Sequence, residues 1–469
     1  MIYLNIDDRE FYDDAVVLVR SFYPRTEVGE YDGQNVTPED IIIRPDIPEK
    51  EGRSRSELHE EFKTDLYKKL EKMTGRTLPW GKLTGVRPSK IAVNLIENKT
   101  SDEDIIKLFM DKHYASEAKA KLALGVAHKE LGLLGQRDYV NGYSLYIGIP
   151  FCPTTCLYCS FTSYSIDKWH DRVEEYLSAL FCEMEFVAAK LKNRRLDTIY
   201  FGGGTPTTLS ADQLDRLLGH MEKCFDMSDI VELTVEAGRP DTVTKEKLDT
   251  IKRLGCTRIS INPQTMNDAV LKNIGRRHTA EDTVRAFLLA RECGFDNINT
   301  DLIAGLPGDT AESFENTVNS VLRLDPESIT VHSLSMKRSS ALTVSGSFPE
   351  ALMGEEAAKM VSYARNTLKT HGLAPYYMYR QSKTVGNLEN VGYAKKGAEC
   401  LYNVYTMDET HTILACGASA VSKLREPNGS YIERIFNFKY PYEYISRFNE
   451  LLERKKGVLA FYEKYPYRN

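Results

Sequence analysis

Residues 147–161 read IGIPFCPTTCLYCSF and place Cys152, Cys156 and Cys159 at C-x3-C-x2-C spacing behind a short apolar run. Thiolates are the soft ligands that iron–sulfur clusters take. Three at this spacing hold three irons of a [4Fe–4S] cube and leave the fourth open, where the amino and carboxylate groups of S-adenosylmethionine (SAM) bind end-on. The expected chemistry is that of radicals. Zinc in a structural site wants four ligands, usually two pairs split by a longer loop, and no second pair of close cysteines or histidines is present. A disulfide framework is weaker still, because three clustered cysteines in an otherwise unpaired set do not make one.

Outward from this loop, short apolar runs alternate with amphipathic stretches, the pattern of parallel strands joined by helices. Strands are predicted at 145–149, 198–201, 231–235, 258–261, 297–303 and 328–334, and helices at 210–225, 244–254, 279–293 and 310–324. Six such units predict an α/β fold, a partial (β/α)6 barrel that stays open. In parallel barrels chemistry gathers at the C-terminal strand ends, and the cysteine loop follows the first strand. YFGGGTPTTLS ends the second, with Gly202, Gly203 and Gly204 letting backbone approach a ligand and Thr205 adding a hydroxyl. The bland reading of the glycines is a tight turn. Glu236 closes the third strand, where a carboxylate accepts from a ribose or amino group or caps the next turn. Asp301 sits inside the apolar NINTDLIAGLP, and a buried charge without partners is costly.

Domain texture changes on either side. Residues 1–139 carry two short mixed segments and then charged helices at 55–73 and 102–134, predicting an N-terminal α+β domain. Its LPWGKLTGVRPSK, with Trp80, Lys82, Arg87 and Lys90, reads as a loop with a solvated charged face or, less simply, as an anion site. Residues 140–380 form the barrel, and 381–469 are expected to cap its open side. The chain has 469 residues, 42% hydrophobic and 27% charged, with a net charge of −6, so a general nucleic-acid footprint is not favoured. MIYLNIDDREFYDD has no basic segment before an apolar one, and no apolar run spans a bilayer, so a cytoplasmic protein is expected. Cys182, Cys224, Cys256, Cys293, Cys400 and Cys416 are read as buried small hydrophobes.

Taken in order, YIGIPFCPTTCLYC, FGGGTPT, VEAGRP, INPQTMND, GRRHTAED and DLIAGLP resemble the radical SAM proteins of the oxygen-independent coproporphyrinogen III oxidase group. RQSKTVGNLENVGYA and ECLYN resemble its HemZ branch, the coproporphyrinogen dehydrogenases; the likeness covers roughly residues 140–440. The resemblance implies a SAM site made by Tyr146, the three cysteines, Tyr158, Gly203, Gly204, Thr205, Glu236, Gln264, Arg276 and Asp301. Two positions depart from the pattern: Phe161 stands where oxidases usually have a further cysteine, and Gly148 where a histidine commonly precedes Ile-Pro-Phe-Cys. An aromatic residue at 161 resembles the relatives that traffic haem.

What the resemblance implies chemically is reductive cleavage of SAM to methionine and a 5′-deoxyadenosyl radical. Hydrogen abstraction from a propionate β-carbon and loss of carbon dioxide and one electron would then leave a vinyl group. Two such events turn coproporphyrinogen III into protoporphyrinogen IX in anaerobic haem biosynthesis. Implied partners are a porphyrinogen or haem substrate and reduced flavodoxin or ferredoxin as electron donor, with the chain a monomer. Arg239, Arg277, Lys337, Arg338 and Arg380 fall near predicted strand ends where substrate carboxylates could pair. His332, near the end of the last barrel strand, either faces the substrate or is a satisfied core histidine. Competing readings are a haem-binding chaperone and a radical enzyme that methylates haem and opens its ring.

Overall fold

The computed structural model describes residues 1–24, 26–34, 36–84, 87–159, 163–191, 194–335, 350–381 and 384–466. Phe161, Lys337 and Arg338 lie outside the described residues. Eleven strands form one sheet: β1 Gly142–Ile149, β2 Arg195–Gly203, β3 Glu232–Glu236, β4 Arg258–Ser260, β5 Ile298–Ala304, β6 Ser328–Ser333, β7 Ala374–Arg380, β8 Glu389–Ala394, β9 Thr412–Cys416, β10 Val421–Arg425 and β11 Ile432–Phe436. Their order is β7-β8-β6-β5-β4-β3-β2-β1-β9-β10-β11. Strands β1 to β6 are parallel neighbours, the six units expected from the alternation, and β7 and β11 end the sheet without pairing, so the barrel is partial.

Period-two patterning explains which face is which. Ile199, Phe201, Leu233, Val235, Ile259 and Ile261 are buried in one core with Leu177, Leu180 and Met184 of the helix Val173–Ala188 and Leu214, Leu217 and Leu218 of the helix Ala211–Cys224. Each such side chain contributes about 1.5–3 kcal/mol by leaving water. Polar residues alternate with them and point the other way, into the barrel. Capping boxes start two of the crossover helices, Ser210 with Gln213 and Thr279 with Asp282, which fixes where each strand-end loop stops.

Several expectations change on contact with the structure. The 102–134 stretch is two helices, Asp102–Asp111 and Glu117–Leu134, because Tyr114 takes a left-handed φ of 58° between them. Trp80 and Lys82 are not part of a solvated face. Trp80 is fully buried and donates to Glu389 Oε2 at 2.8 Å, while Lys82 is 4% exposed and pairs with Glu60. Beyond residue 380 the chain extends both sheet edges, and the helix Leu401–Asp408 between those edges carries side chains into the barrel. Among the other cysteines, Cys256, Cys400 and Cys416 are buried, but Cys182 is exposed and Cys224 and Cys293 are half-buried. Three parallel strands, Ile2–Leu4, Val28–Glu30 and Ile41–Ile43, pack with the helices Tyr12–Phe22 and Arg55–Thr74 around Phe11, Phe22, Phe62 and Tyr67. Among the described residues no helix is long and apolar enough to cross a membrane.

Candidate active site

Strand ends and the loops that follow them enclose a cavity of about 480 Å³. Every site residue expected from the sequence lines it: Cys152, Cys156 and Cys159, Tyr146 and Tyr158, Gly203, Gly204 and Thr205, Glu236, Gln264, Arg276 and Asp301. The cysteine loop is held by backbone. Thr205 N donates to Phe151 O at 2.7 Å, Gly204 N to Ile149 O at 2.8 Å, and Leu157 N to Ile274 O at 3.0 Å. A Cβ on Gly204 would lie 2.5 Å from the Phe151 carbonyl oxygen, so only glycine lets the second strand end close against the cysteine loop. Gly203 has φ +107° and needs the same freedom.

The donor set suits an iron–sulfur cluster. Burial pushes the Cys152 thiol up to about 11, with Thr205 Oγ1 3.5 Å from its sulfur drawing it back; a bound metal deprotonates such a thiol outright. Arg239 is 2% exposed, chelates Asp241 and reaches Cys156 Sγ at 3.7 Å, a fixed cation beside thiolate charge.

Opposite the cysteines stands an acidic wall. Glu236 Oε1 accepts from Tyr200 Oη at 2.6 Å. Burial, reinforced by the charge of Asp301, pushes the Glu236 carboxyl up to about 7 against the Tyr200 hydrogen bond and His332. Burial also acts on Asp301, but there His332 and the amide of Asn299, 2.7 Å from Oδ1, outweigh it and the carboxyl sits below its ordinary range. Asp301 is therefore not an unpaired charge in an apolar strand. Arg276 donates to Asn262 O at 2.6 Å, Gly238 O at 3.2 Å and Tyr158 Oη at 2.9 Å. Gln264 holds a left-handed φ of 71°, stabilised by its N–H to Asp301 O and by Ile303 N to its own carbonyl, both 3.0 Å. Strain of this kind collects at ligand sites.

Cations expected to meet carboxylates fare differently. Arg239 lines the cavity but is saturated by Asp241 and Thr154. Arg380 is buried, stacks on Trp80 and donates to Leu83 O and Asn387 O. Arg277 is exposed and outside the cavity. His332 does face it, 3.7 Å from Asp301 Oδ2.

Residue patterns 146–321 match the description of the radical SAM superfamily. Over 445 residues the chain is 38% identical to the "Oxygen-independent coproporphyrinogen-III oxidase-like protein HemZ" of Bacillus subtilis, a match covering 94% of this chain and 88% of that one. This chain is a member of the radical SAM family of oxygen-independent coproporphyrinogen-III oxidase-like proteins. Radical SAM proteins use a [4Fe–4S] cluster and SAM. The "Heme chaperone HemW" of B. subtilis is 36% identical over 312 residues, covering 64% of this chain and 77% of that one. The radical SAM enzyme coproporphyrinogen III oxidase (HemN) of Escherichia coli shares the fold with TM-score 0.53 at 23% identity, covering 69% of this chain and 72% of that one.

Sequence reasoning missed most of the radical SAM barrel's inner wall. Tyr146, Tyr200 and Tyr402 lie nearly parallel, with Tyr200 and Tyr402 centroids 4.6 Å apart and their planes 22° off. Tyr377, Tyr379, Asn390, Asn262, Ser260, Asn299 and Cys400 also line the cavity. Cys400, read as a buried small hydrophobe, is buried and also donates to Glu232 Oε1 at 3.2 Å. The available signal was alternation: Tyr200, Ser260 and Asn299 are polar beside apolar neighbours in their strands, and Asn262 continues the period past Ser260.

Proposed function

We propose that this chain oxidatively decarboxylates propionates of coproporphyrinogen III to vinyl groups, giving protoporphyrinogen IX. The observation that carries this reading is that the cavity lined by the cysteines, glycines and carboxylates is lined also by Tyr377, Tyr379, Asn390 and Tyr402, side chains able to meet a polar substrate arm. The relative named oxygen-independent coproporphyrinogen-III oxidase-like, matched over 94% of the chain, supports the same substrate.

In this proposal Cys152, Cys156 and Cys159 hold the cluster. Tyr146, Tyr158, the Gly203–Gly204–Thr205 turn, Glu236, Gln264, Arg276 and Asp301 hold SAM. When bound, the two supply a hydrogen-abstracting carbon radical through one-electron reduction. The protein's part is orientation and exclusion of water. Asp301 stays ionised at neutral pH and accepts hydrogen bonds from hydroxyl or ammonium groups. Arg276 is locked by two carbonyls and Tyr158, so it orients without swinging. Tyr377, buried, and Tyr379, half-buried, offer hydroxyls to a carboxylate arm entering the barrel, in surroundings where each hydrogen bond counts for more than in water.

Anaerobic incubation with reductant, SAM and coproporphyrinogen III tests the reading. A three-propionate intermediate, then protoporphyrinogen IX, should form with about one SAM cleaved per propionate lost. SAM cleavage without vinyl product would overturn it. A second reading, a haem chaperone, is favoured by relatives that bear that name and by Phe161; tight haem binding with no turnover would select it.

A further inference from the structure

A buried clamp grips the far strands of the sheet from outside the cavity. Trp80 Nε1 donates to Glu389 Oε2 at 2.8 Å, and Lys119 pairs with Glu389 Oε1. Arg380, opposite Glu389 in the register of β7 with β8, lies over the Trp80 ring at 5.4 Å and donates to Leu83 O at 2.6 Å. Trp80, Lys119, Arg380 and Glu389 are all buried, and none of them lines the cavity. Side chains alternate along a strand, so the neighbouring pair, Tyr379 opposite Asn390, does line it. Contacts run on from there into the site. Ser333 Oγ donates to Glu389 O at 2.7 Å, Ser333 N to Asn390 Oδ1 at 3.0 Å, and Tyr379 Oη lies 3.2 Å from His332 Nδ1. Covering these strands does not require the clamp. Ala120, Ala123 and Ala127 of the helix Glu117–Leu134 already share an apolar core with Met378, Val391 and Tyr393. A buried ion pair is often no more stabilising than apolar groups of the same volume, and what it can fix is geometry. Here it fixes the residue pair next to Tyr379 and Asn390.

We propose that Trp80 and Lys119 are positioning residues: through Glu389 they hold Asn390 and Tyr379 in the arrangement that receives a carboxylate arm of the substrate. The inference rests on the tetrapyrrole reading of the cavity, which the oxidase and the chaperone share, and adds to it a task for the residues that precede the barrel. Neither residue touches the ligand. Trp80 fixes one oxygen of the Glu389 carboxylate and Lys119 the other, so the group cannot rotate. The Glu389 carbonyl, bonded to Ser333, carries that restraint to β6, where Ser333 and His332 line the cavity.

The test follows binding of coproporphyrin III, by its fluorescence, to the full chain after anaerobic reconstitution, with SAM affinity from calorimetry as the second readout. Trp80→Phe removes the N–H and keeps an aromatic ring; Lys119→Met removes the ammonium and keeps an unbranched stem. Each should weaken coproporphyrin III binding about tenfold while SAM affinity and the cluster absorbance stay as in wild type. Lys119→Arg, which keeps the charge, should recover most of the loss. In an Asn390→Ala background the wall is already loosened, so Trp80→Phe or Lys119→Met should then cost no more than about twofold. Unchanged porphyrin affinity in both single variants would overturn the inference. A parallel loss of SAM affinity, or full additivity with Asn390→Ala, would overturn it too, because the two residues would then serve the fold at large. Should Lys119→Met not fold, Trp80→Phe, which leaves every charge in place, decides the matter by the same readouts. Wild type that does not bind coproporphyrin III would overturn the tetrapyrrole reading itself and the inference with it, an outcome distinct from the others because those require binding in wild type.

Discussion

Two polar clusters occupy opposite ends of the same barrel strands, and only one of them has room. At the end where the strands begin, Ser144 Oγ lies 2.8 Å from His411 Nδ1, and His411 Nε2 lies 3.2 Å from Asp197 Oδ2. Arg137 and Arg195 each donate to Asp197 Oδ1 at 2.7 Å. By residue type this is the serine–histidine–aspartate set of a hydrolase. Yet the side chains of His411 and Asp197 are 0% exposed and none of the three faces the cavity. At the other end Glu236, Asp301 and Gln264 do face it, with one carboxyl pushed up and one backbone strained. Polar identity does not make a site; space beside it does.

The contrast can be broken most sharply at the cysteines. Cys152→Ala, Cys156→Ala or Cys159→Ala should abolish the cubane signal in Mössbauer spectra of reconstituted protein while leaving the lower cluster and the fold intact. A stable zinc protein indifferent to SAM would remove the premise. Next in size is the lower end. Asp197→Asn should cost about 3 kcal/mol in denaturant unfolding, since removing one partner strands buried charge, without changing SAM affinity per folded molecule. Burial pushes Asp197 up, but the His411 hydrogen bond and Arg195 hold it down to about 2. A depressed acid stabilises above its unfolded value, so the cost of the variant should shrink as pH falls from about 4 toward 2. If SAM binding fell as well, the two ends would not be separable.

A smaller effect is expected at the cofactor wall. Gly203→Val adds a branched side chain where φ is +107° and a Cβ already meets Tyr146 Oη at 3.1 Å. Asp301→Ala removes an ionised acceptor. Each should weaken SAM binding about tenfold by calorimetry, or about 1.4 kcal/mol, with the cluster still formed; unchanged affinity in both would misplace the cofactor. The subtlest expectation is a pH profile. Glu236, faced by Tyr200, Tyr402, Tyr146, Asp301 and His332, loses its proton near pH 7. If Glu236 meets SAM's ammonium as proposed, the carboxylate accepts from it better than the acid, so affinity should rise a few-fold from pH 6 to pH 8. Glu236→Gln should flatten that rise.

Much of the upper end was legible from spacing alone. The strand positions follow from alternation of apolar runs with amphipathic ones, and the glycine run could be placed beside the cysteines because both end adjacent strands. Other features were hidden by distance. Tyr402 stands in the helix Leu401–Asp408, far along the chain from the Tyr200 it stacks on, and no local periodicity announces that contact. Trp80 and Lys119 meet Glu389 from 309 and 270 residues away along the chain, so their burial leaves no mark on neighbouring residues. The break at Tyr114 was invisible because a tyrosine carries no signal for a left-handed turn.

The pairing of β9 with β1 has a consequence for how the molecule comes into being. Ser144 and His411 are 267 residues apart, and the register joins Tyr146 to Ala415. At the pace of synthesis the strand leading into the cysteine loop waits roughly 10–50 s for its partner. During that interval its outer edge is an open template, and closing so long a loop is a slow, late event. A nascent chain therefore exposes this strand edge throughout the making of the rest of the barrel, and the arrival of the strand Thr412–Cys416 is what ends the exposure.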